Sequence, residues 1–270
     1  MGTMSKVVFI TGGSSGIGKS IGDYLHQMGF TVIGTSRNPD RYPETNFELV
    51  AMQVQDAASI KDSITATIAK HGKIDVLVNN AGVGITGPIE ETPDDQVHNA
   101  FNTNVYGPIR VINAVMPQMR KQQSGLIINI TSIAGYMGLP YRGIYSASKA
   151  ALGVITEAMR MEIREFGIQM TTIAPGDFAT NIAAGRYHAP VLDDSAYKEN
   201  YAKSIAIMDE HVAHGNDPKE MAKAVHRIIK KQRPKVHYRE GAFIQKFSIV
   251  LKRLLPDTWY EKLLRSHYKL

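Results

Sequence analysis

The chain has 270 residues, a formal net charge of +6 and no cysteine. This length suits one large domain or two small ones with a sizeable core. The lack of cysteine excludes disulfides and thiol catalysis, and no apolar run reaches the roughly 18 residues that a membrane-spanning helix needs. The first apolar run is also too short for a signal peptide, so we expect a cytoplasmic protein.

The charge is unevenly distributed along the chain. Residues 1–218 carry 17 Lys and Arg against 21 Asp and Glu, whereas residues 219–270 carry 14 against 4. A basic segment of this kind can contact an anionic membrane, nucleic acid or an acidic partner, or it can simply be solvated. Because no aromatic-rich nucleic-acid motif accompanies it, we expect no nucleic-acid binding.

A strand, a glycine-rich turn and a helix open the chain. β-Branched apolar residues predict a buried strand at 6–11, and apolar spacing predicts a helix that ends near Met28. Between them lies Gly12-Gly13-Ser14-Ser15-Gly16-Ile17-Gly18. Glycines at such a turn let the backbone approach a pyrophosphate, and the helix N-terminus supplies N–H donors. We therefore predict a dinucleotide site here, the alternative being a plain turn.

The second predicted strand, residues 31–35, ends in Ser36-Arg37-Asn38. An acidic residue at this point binds the ribose 2′-hydroxyl of NAD, whereas an arginine accommodates the 2′-phosphate of NADP. The first acidic residue after the strand is Asp40. Arg37 and the small Ser36 therefore favour NADP(H), unless Arg37 is only an exposed loop residue.

Strands and helices alternate through the middle of the chain. Strands are predicted at 47–54, 74–78, 126–130 and 168–173, and helices at 60–69, 93–122 and 144–166. This alternation predicts a parallel sheet covered on both faces, with ligands beyond the carboxyl ends of the strands. Asn104 falls inside a predicted helix, where asparagine is mildly unfavourable, so we expect it to make a specific hydrogen bond.

Tyr145 and Lys149 lie four residues apart and therefore on one face of a helix. Tyrosine has an ordinary pKa of about 10, and a nearby ammonium lowers it. Such a pair can exchange a proton near neutral pH, as carbonyl–alcohol interconversion requires. Taken alone, the pair fits an exposed helix face better, because such a spacing occurs often by chance.

Six motifs occur in a fixed order: Thr11-Gly12-x-x-x-Gly16-x-Gly18, Asn79-Asn80-Ala81-Gly82, Asn104, Ser132, Tyr145-x-x-x-Lys149 and Pro175-Gly176. Their order and spacing resemble the short-chain dehydrogenase/reductase family in its single-domain form. The resemblance implies an α/β fold, with a Rossmann-like, doubly wound parallel sheet in three α/β/α layers. It implies one domain over residues 1–240 with a substrate lid at about 181–216, followed by a C-terminal amphipathic helical extension, 241–270.

The resemblance also implies catalytic roles. Tyr145 would exchange a proton with the substrate oxygen, and Ser132 would hold that oxygen. Lys149 would lower the pKa of Tyr145 and bind the nicotinamide ribose, while Asn104 would position a water that relays protons. The nicotinamide itself supplies the hydride.

The expected cofactor-binding residues follow from the same resemblance and from the glycine turn. They are Gly12, Ser14, Ser15, Gly16, Ile17, Gly18, Ser36, Arg37, Asn38, Gln53, Val54, Asn80, Ala81, Gly82, Tyr145, Lys149, Pro175, Gly176, Phe178 and Thr180. One position departs from the family pattern, because Gln53 stands where an acidic residue usually contacts the adenine amino group. A glutamine oxygen still accepts that hydrogen bond, but more weakly than a carboxylate.

The expected substrate-binding residues are Ser132, Ala134, Met137, Tyr145 and Tyr187. Further apolar candidates are Leu139, Tyr141, Ile182, Tyr201 and Met208. Their character suits an apolar or aromatic ketone, the alternative being that several are core residues. His211 and His214 lack a ligand pattern, so we expect surface residues and no metal site.

In the extension, residues 243–254 follow helical spacing, with an apolar stripe opposite Lys246, Lys252 and Arg253. Pro256 ends this helix, and Thr258 with Glu261 predicts a capping box for a last short helix. The stripe could lie on an anionic membrane, but we favour packing over the substrate cleft or a subunit interface. We expect a homodimer or homotetramer through the helices at 93–122 and 144–166.

The leading functional hypothesis is an NADP(H)-dependent carbonyl reductase or alcohol dehydrogenase. An acyl-chain intermediate or a sugar could replace a steroid-like ketone as substrate. A non-catalytic nucleotide sensor or scaffold of the same fold is the alternative of another class. The complete set Asn104, Ser132, Tyr145 and Lys149 argues against that alternative, because a sensor has no need of all four groups.

Overall fold

The computed structural model describes residues 5–179, 185–213 and 215–270, without the side chains of 211–213. Its nine strands are β1 Val7–Ile10, β2 Thr31–Ser36, β3 Glu48–Ala51, β4 Val76–Asn79, β5 Ile85–Thr86, β6 Gly125–Ile130, β7 Ile168–Pro175, β8 Tyr187–His188 and β9 His237–Glu240. Seven of them form one sheet in the order β3-β2-β1-β4-β6-β7-β9, and every pairing in it is parallel. The predicted parallel sheet is thus confirmed.

The α-helices of the described residues are α1 Gly16–Gln27, α2 Ala57–His71, α3 Asp94–Phe101, α4 Gly107–Gln122, α5 Gly143–Glu162, α6 Lys198–Ala213, α7 Pro218–Ile229, α8 Phe243–Leu254 and α9 Asp257–His267. A π-helical turn at Asn102–Tyr106 joins α3 to α4. A short 3₁₀ turn, Ile133–Tyr136, follows β6.

The alternation of side chains along β1 explains the three layers. Val8 and Ile10 enter an apolar cluster with residues of α1 and α7, whereas Val7 and Phe9 enter a second cluster with residues of α2 and α4. Successive side chains of a strand point to opposite faces, so a fully apolar strand must be covered on both sides. This requirement produces the doubly wound architecture.

The strand order places the ligand-binding edge. The chain moves outward from β1 to β3, then returns to pair β4 with the other side of β1. The turns that follow β1 and β4 therefore diverge at this reversal, which is where open parallel sheets bind ligands. Gly12 and Asn80 lie in these two turns.

Two local expectations need correction. The single helix predicted over 93–122 is interrupted by the π-helical turn that contains Asn104, whose amide is bonded to the backbone of Val83. The predicted capping box at Thr258 is wrong, because α9 begins at Asp257 with no side-chain cap. Pro256, with φ fixed at −54°, starts the helix before Thr258 can act as its cap.

Candidate active site

The glycine turn after β1 is tightly packed. Gly12 has a φ of +66°, a conformation that favours glycine, and a side chain at Gly18 would collide with the carbonyl oxygen of Gly12. Asn80 Nδ2 donates to the carbonyl oxygens of Thr11 at 3.0 Å and Gly12 at 3.1 Å. The turn after β4 thereby fixes the shape of the turn after β1.

The N-terminus of α1 fits a pyrophosphate. Ser15 is the N-cap residue but makes no side-chain cap hydrogen bond, and the first turn of α1 contains no acidic residue. The first backbone N–H groups of a helix have no partner within the helix, and they carry its positive dipole end. The segment from Ser14 to Gly18 can therefore hold the phosphates of a dinucleotide.

The residues expected at the adenosine end also lie along this edge. Ser36 ends β2, its Oγ accepts from the backbone N–H of Asn38 at 3.2 Å, and Arg37 between them is exposed. Gln53 is exposed just after β3, while Val54 packs against Gly107. These positions remain predicted contacts.

Tyr145 and Lys149 share one face of α5, as the spacing predicted. Lys149 is 6% exposed, and its Nζ lies 5.9 Å from the centroid of the Tyr145 ring. The Nζ donates to the carbonyl oxygen of Ile130 at 3.1 Å. Burial disfavours the ammonium and lowers the pKa of Lys149 to about 8.

The pKa of Tyr145 behaves differently from the expectation. Burial raises the pKa of Tyr145, and a hydrogen bond with Ser132 and the charges of Arg142 and Arg186 oppose this rise only in part. The pKa of Tyr145 is therefore raised overall, contrary to the lowered pKa that the sequence predicted. The ammonium is itself buried and directed at a backbone carbonyl, so Tyr145 keeps its proton at neutral pH.

Asn104 is fully buried and makes the specific hydrogen bonds that its position predicted. Its Nδ2 donates to the Val83 carbonyl oxygen at 2.9 Å and to Ser148 Oγ at 3.1 Å, while its Oδ1 accepts from the Val83 N–H at 2.9 Å. Ser148 in turn donates to the carbonyl oxygen of Tyr145. Sequence reasoning missed Ser148, although it lies beside Lys149.

Ser132, Tyr145 and the turn after β7 meet at one cleft. Its lining residues are Ile17, Gly84, Ile85, Ser132, Arg142, Tyr145, Pro175, Gly176, Asp177, Phe178 and Arg186. Three charged residues in this lining were not predicted: Arg142, Asp177 and Arg186. Arg142 lies one turn before Tyr145, and Asp177 directly follows Pro175-Gly176. Their spacing from these motifs could therefore have predicted that both residues lie at the cleft.

The other predicted substrate residues lie outside this lining. Ala134 is buried, Tyr187 lies in β8, and Met137 Sδ accepts from the Tyr260 hydroxyl at 2.7 Å. Tyr201 and Met208 are buried on α6. Thr180, Ile182, His214 and the side chain of His211 fall outside the described residues.

The C-terminal extension borders the cleft. Gln245 of α8 donates to Asp177 Oδ2 at 2.6 Å, and the Tyr268 hydroxyl accepts from Arg142 Nη2 at 2.8 Å. Gln245 and the buried Ile249 make the contact, and Leu251 is the member of the apolar stripe that packs against the same cluster. The expectation that the whole stripe covers the cleft is wrong, because most of its residues, such as Phe243, Ile244 and Leu254, are exposed.

Known proteins resemble this chain in sequence. A family model described as short chain dehydrogenase matches residues 6–190. The chain belongs to the short-chain dehydrogenase family. A 3-ketodihydrosphingosine reductase of Bacteroides thetaiotaomicron is 34% identical to this short-chain dehydrogenase, over 97% of the chain and 98% of the relative. These similarities support a dehydrogenase or reductase.

Solved structures share the fold. A short-chain dehydrogenase from Streptomyces avermitilis is 30% identical, with a TM-score of 0.80 over 98% of this chain and 99% of that one. ElxO with NADP bound is 26% identical, with a TM-score of 0.70 over 87% of this chain and 97% of ElxO. A short-chain dehydrogenase/reductase from Burkholderia phymatum in complex with NAD is 23% identical, with a TM-score of 0.79 over 92% of this chain and 93% of that one. Structures of this fold thus hold either dinucleotide.

Proposed function

We propose that the protein is an NADP(H)-dependent oxidoreductase that transfers a hydride between the nicotinamide and a carbonyl or secondary alcohol. The observation that carries this proposal is the Tyr145 hydroxyl. Tyr145 lines the cleft together with Ser132, which acts on the pKa of the Tyr145 hydroxyl. Lys149 Nζ lies 5.9 Å from the centroid of the Tyr145 ring, and Asn104 is linked through Ser148 to the Tyr145 carbonyl oxygen. A non-catalytic sensor would bind the dinucleotide without using these groups.

The chain's own residues handle the proton. When bound, the reduced dinucleotide supplies the hydride to the carbonyl carbon. Tyr145 is protonated at neutral pH, since its ordinary pKa is about 10 and burial raises it, so it carries the proton that the carbonyl oxygen needs during reduction. Ser132 orients that oxygen, Lys149 binds ribose hydroxyls, and Asn104 positions the relaying water.

The preference for NADP(H) rests on Arg37. Its guanidinium is exposed directly beyond β2, and no ion pair engages it among the described residues. We expect Arg37→Ala to weaken NADPH binding roughly 10-fold or more, the equivalent of one charge-assisted hydrogen bond, while NADH binding changes little. Titration of both proteins with both dinucleotides, followed by fluorescence, measures the four dissociation constants.

The titration distinguishes a wrong role for Arg37 from a protein that binds the dinucleotide without catalysis. Arg41→Ala, in the same loop but farther from β2, is the matched control and should leave both affinities unchanged. Equal losses for NADPH and NADH in Arg37→Ala would refute the contact with the 2′-phosphate. Binding of either dinucleotide without turnover of any ketone or alcohol would favour the sensor.

We further propose that the cytoplasmic protein contacts membranes through α8 and α9. Within the described residues, no helix has the length and apolar character to cross a bilayer. The extension nevertheless exposes a row of large apolar side chains, among them Phe243 at 77%, Leu254 at 74% and Trp259 at 62%. Basic residues such as Lys246 and Arg253 flank this row, as in helices that lie on anionic lipid surfaces.

Phe243→Glu is expected to abolish co-sedimentation with phosphatidylserine-containing vesicles, because it places a negative charge in the lipid-facing row. We propose that a homodimer or homotetramer forms through α4 and α5. The control variant is therefore Val154→Glu on α5. Val154 is also exposed, so this variant should retain vesicle binding and lose the oligomer in sedimentation velocity. If Phe243→Glu instead dissociates the oligomer, the row is a subunit interface.

A further inference from the structure

Two arginines in the cleft have hydrogen-bonding capacity that the described residues do not satisfy. The Arg186 side chain is 8% exposed, and its buried Nη1 makes no hydrogen bond. The carboxylate of Asp209 lies 3.7 Å from this atom, beyond hydrogen-bond distance. Arg142 uses Nη2 to bond the Tyr268 hydroxyl, but its buried Nε has no partner.

The backbone holds both arginines in place. Arg142 immediately precedes α5, and its N–H donates to the Leu139 carbonyl oxygen at 3.0 Å. Arg186 immediately precedes β8, which is paired with β5 so that Tyr187 lies opposite Ile85. The side chain of Arg186 lies over Gly84, where an added methyl group would come within 3.0 Å of its Cγ.

Arg142, Arg186 and Tyr145 line the same cleft, and the charges of the two arginines act on Tyr145 and on each other. Their charges lower the pKa of Tyr145, and the charge of Arg142 adds to the effect of burial in lowering the pKa of Arg186. Asp177 also lines the cleft, but its Oδ2 already accepts a hydrogen bond from Gln245. The site beside Tyr145 therefore contains two mutually repelling cations, and the nearby carboxylates are Asp177, already bonded to Gln245, and the half-exposed Asp209, 3.7 Å from Arg186 Nη1.

We infer that Arg142 and Arg186 form an anion-binding subsite and that the substrate carries a carboxylate or phosphate group near its reacting carbonyl. A buried guanidinium nitrogen without a hydrogen-bond partner is unfavourable, and the planar fork of the group matches a carboxylate or a phosphate. An anion between the two groups would satisfy the unbonded nitrogens and relieve their repulsion. The inference rests on the proposed function, because it assigns the substrate of that same site.

This subsite changes the expected substrate. The sequence indicated an apolar or aromatic ketone, whereas the cleft offers an apolar wall of Ile17, Ile85 and Phe178 together with a cationic end. A molecule with an acidic head and an apolar remainder fits both parts. The two arginines could instead act only on the proton affinity of Tyr145, and the experiment distinguishes these roles.

The test compares matched substrates in the complete protein with NADPH. One pair is a ten-carbon γ-keto acid and its methyl ester, and the other is a ten-carbon keto phosphate monoester and its parent alcohol. Because a charged hydrogen bond contributes about 10- to 100-fold, we expect the wild type to prefer the anionic member of at least one pair by that factor in kcat/KM. The pair of substrates that shows the preference tells whether the subsite recognises a carboxylate or a phosphate.

Arg186→Met and Arg142→Met should each lower this preference ratio about 10-fold or more, and Arg186→Lys should retain part of it. Arg120→Met, on the exposed end of α4, is the matched control and should leave the ratio unchanged. Equal preference for both members in the wild type would overturn the inference. An unchanged ratio in both arginine variants would also overturn it and assign them to Tyr145 alone.

Binding measurements keep this inference separable from the proposed function. Calorimetry with the folded Tyr145→Phe variant and saturating NADPH or NADH measures the affinity for each member of the pairs without turnover. If the anionic member binds more tightly and Arg186→Met removes the difference, the subsite stands even where the wild type reduces no ketone. If neither anionic member binds more tightly than its neutral partner, the subsite is refuted.

Discussion

Tyr145→Phe is expected to lower kcat for ketone reduction by roughly 100- to 10,000-fold, the range in which a positioned general acid contributes. The variant removes the one hydroxyl that lies in the cleft in contact with Ser132. It keeps the aromatic ring that packs beside Lys149. Because the glycine turn and α1 are untouched, the dissociation constant for NADPH should stay within about 3-fold of the wild-type value.

Steady-state kinetics and a fluorescence titration test this expectation together. Tyr136→Phe is the matched control, because Tyr136 lies on the 3₁₀ turn after β6 and uses its ring to contact Arg239. It should retain wild-type kcat within about 2-fold. Wild-type turnover by Tyr145→Phe would show that another group donates the proton. A parallel loss of NADPH binding would show that the Tyr145 hydroxyl also contributes to holding the cofactor.

Much of the fold follows from local sequence rules. The apolar run of β1 must be buried on both faces, and the glycines after it permit the close turn that Asn80 clamps. The four-residue spacing of Tyr145 and Lys149 fixes their shared face once α5 forms. Such features depend on neighbours in the chain, so the spacing alone specifies them.

The charged lining of the cleft depends on contacts that spacing does not specify. Arg142 and Arg186 are distant in sequence, and they meet only because β5 pairs with β8 and α5 begins at the edge of the cleft. The pKa of Tyr145 likewise depends on burial and on where Lys149 Nζ is directed. The outward orientation of the α8 stripe reflects the bonding of Gln245 to Asp177.

Burial of Lys149 should cost the protein stability at neutral pH. A fall in its pKa from 10.5 to about 8 corresponds to roughly 3 kcal/mol of unfavourable free energy in the charged form. Lys149→Met removes this cost but also removes the donor to the Ile130 carbonyl, a loss of about 1–2 kcal/mol. We therefore expect the variant to be more stable than the wild type by about 1–2 kcal/mol at pH 7, and to have lost turnover.

The pH dependence of this gain is a sharper test than its size. The unfolded chain binds the Lys149 proton up to a pH near 10.5, whereas the folded protein releases it near pH 8. Wild-type stability should therefore rise relative to the variant as the pH increases through this window, and the advantage of Lys149→Met should shrink. Urea unfolding at several pH values measures the difference, with the exposed Lys203→Met as a control that should match the wild type throughout. If Lys149→Met is the less stable protein by the same amount at every pH, the buried ammonium is not unfavourable, and Lys149 must be stabilised by contacts beyond its bond to Ile130.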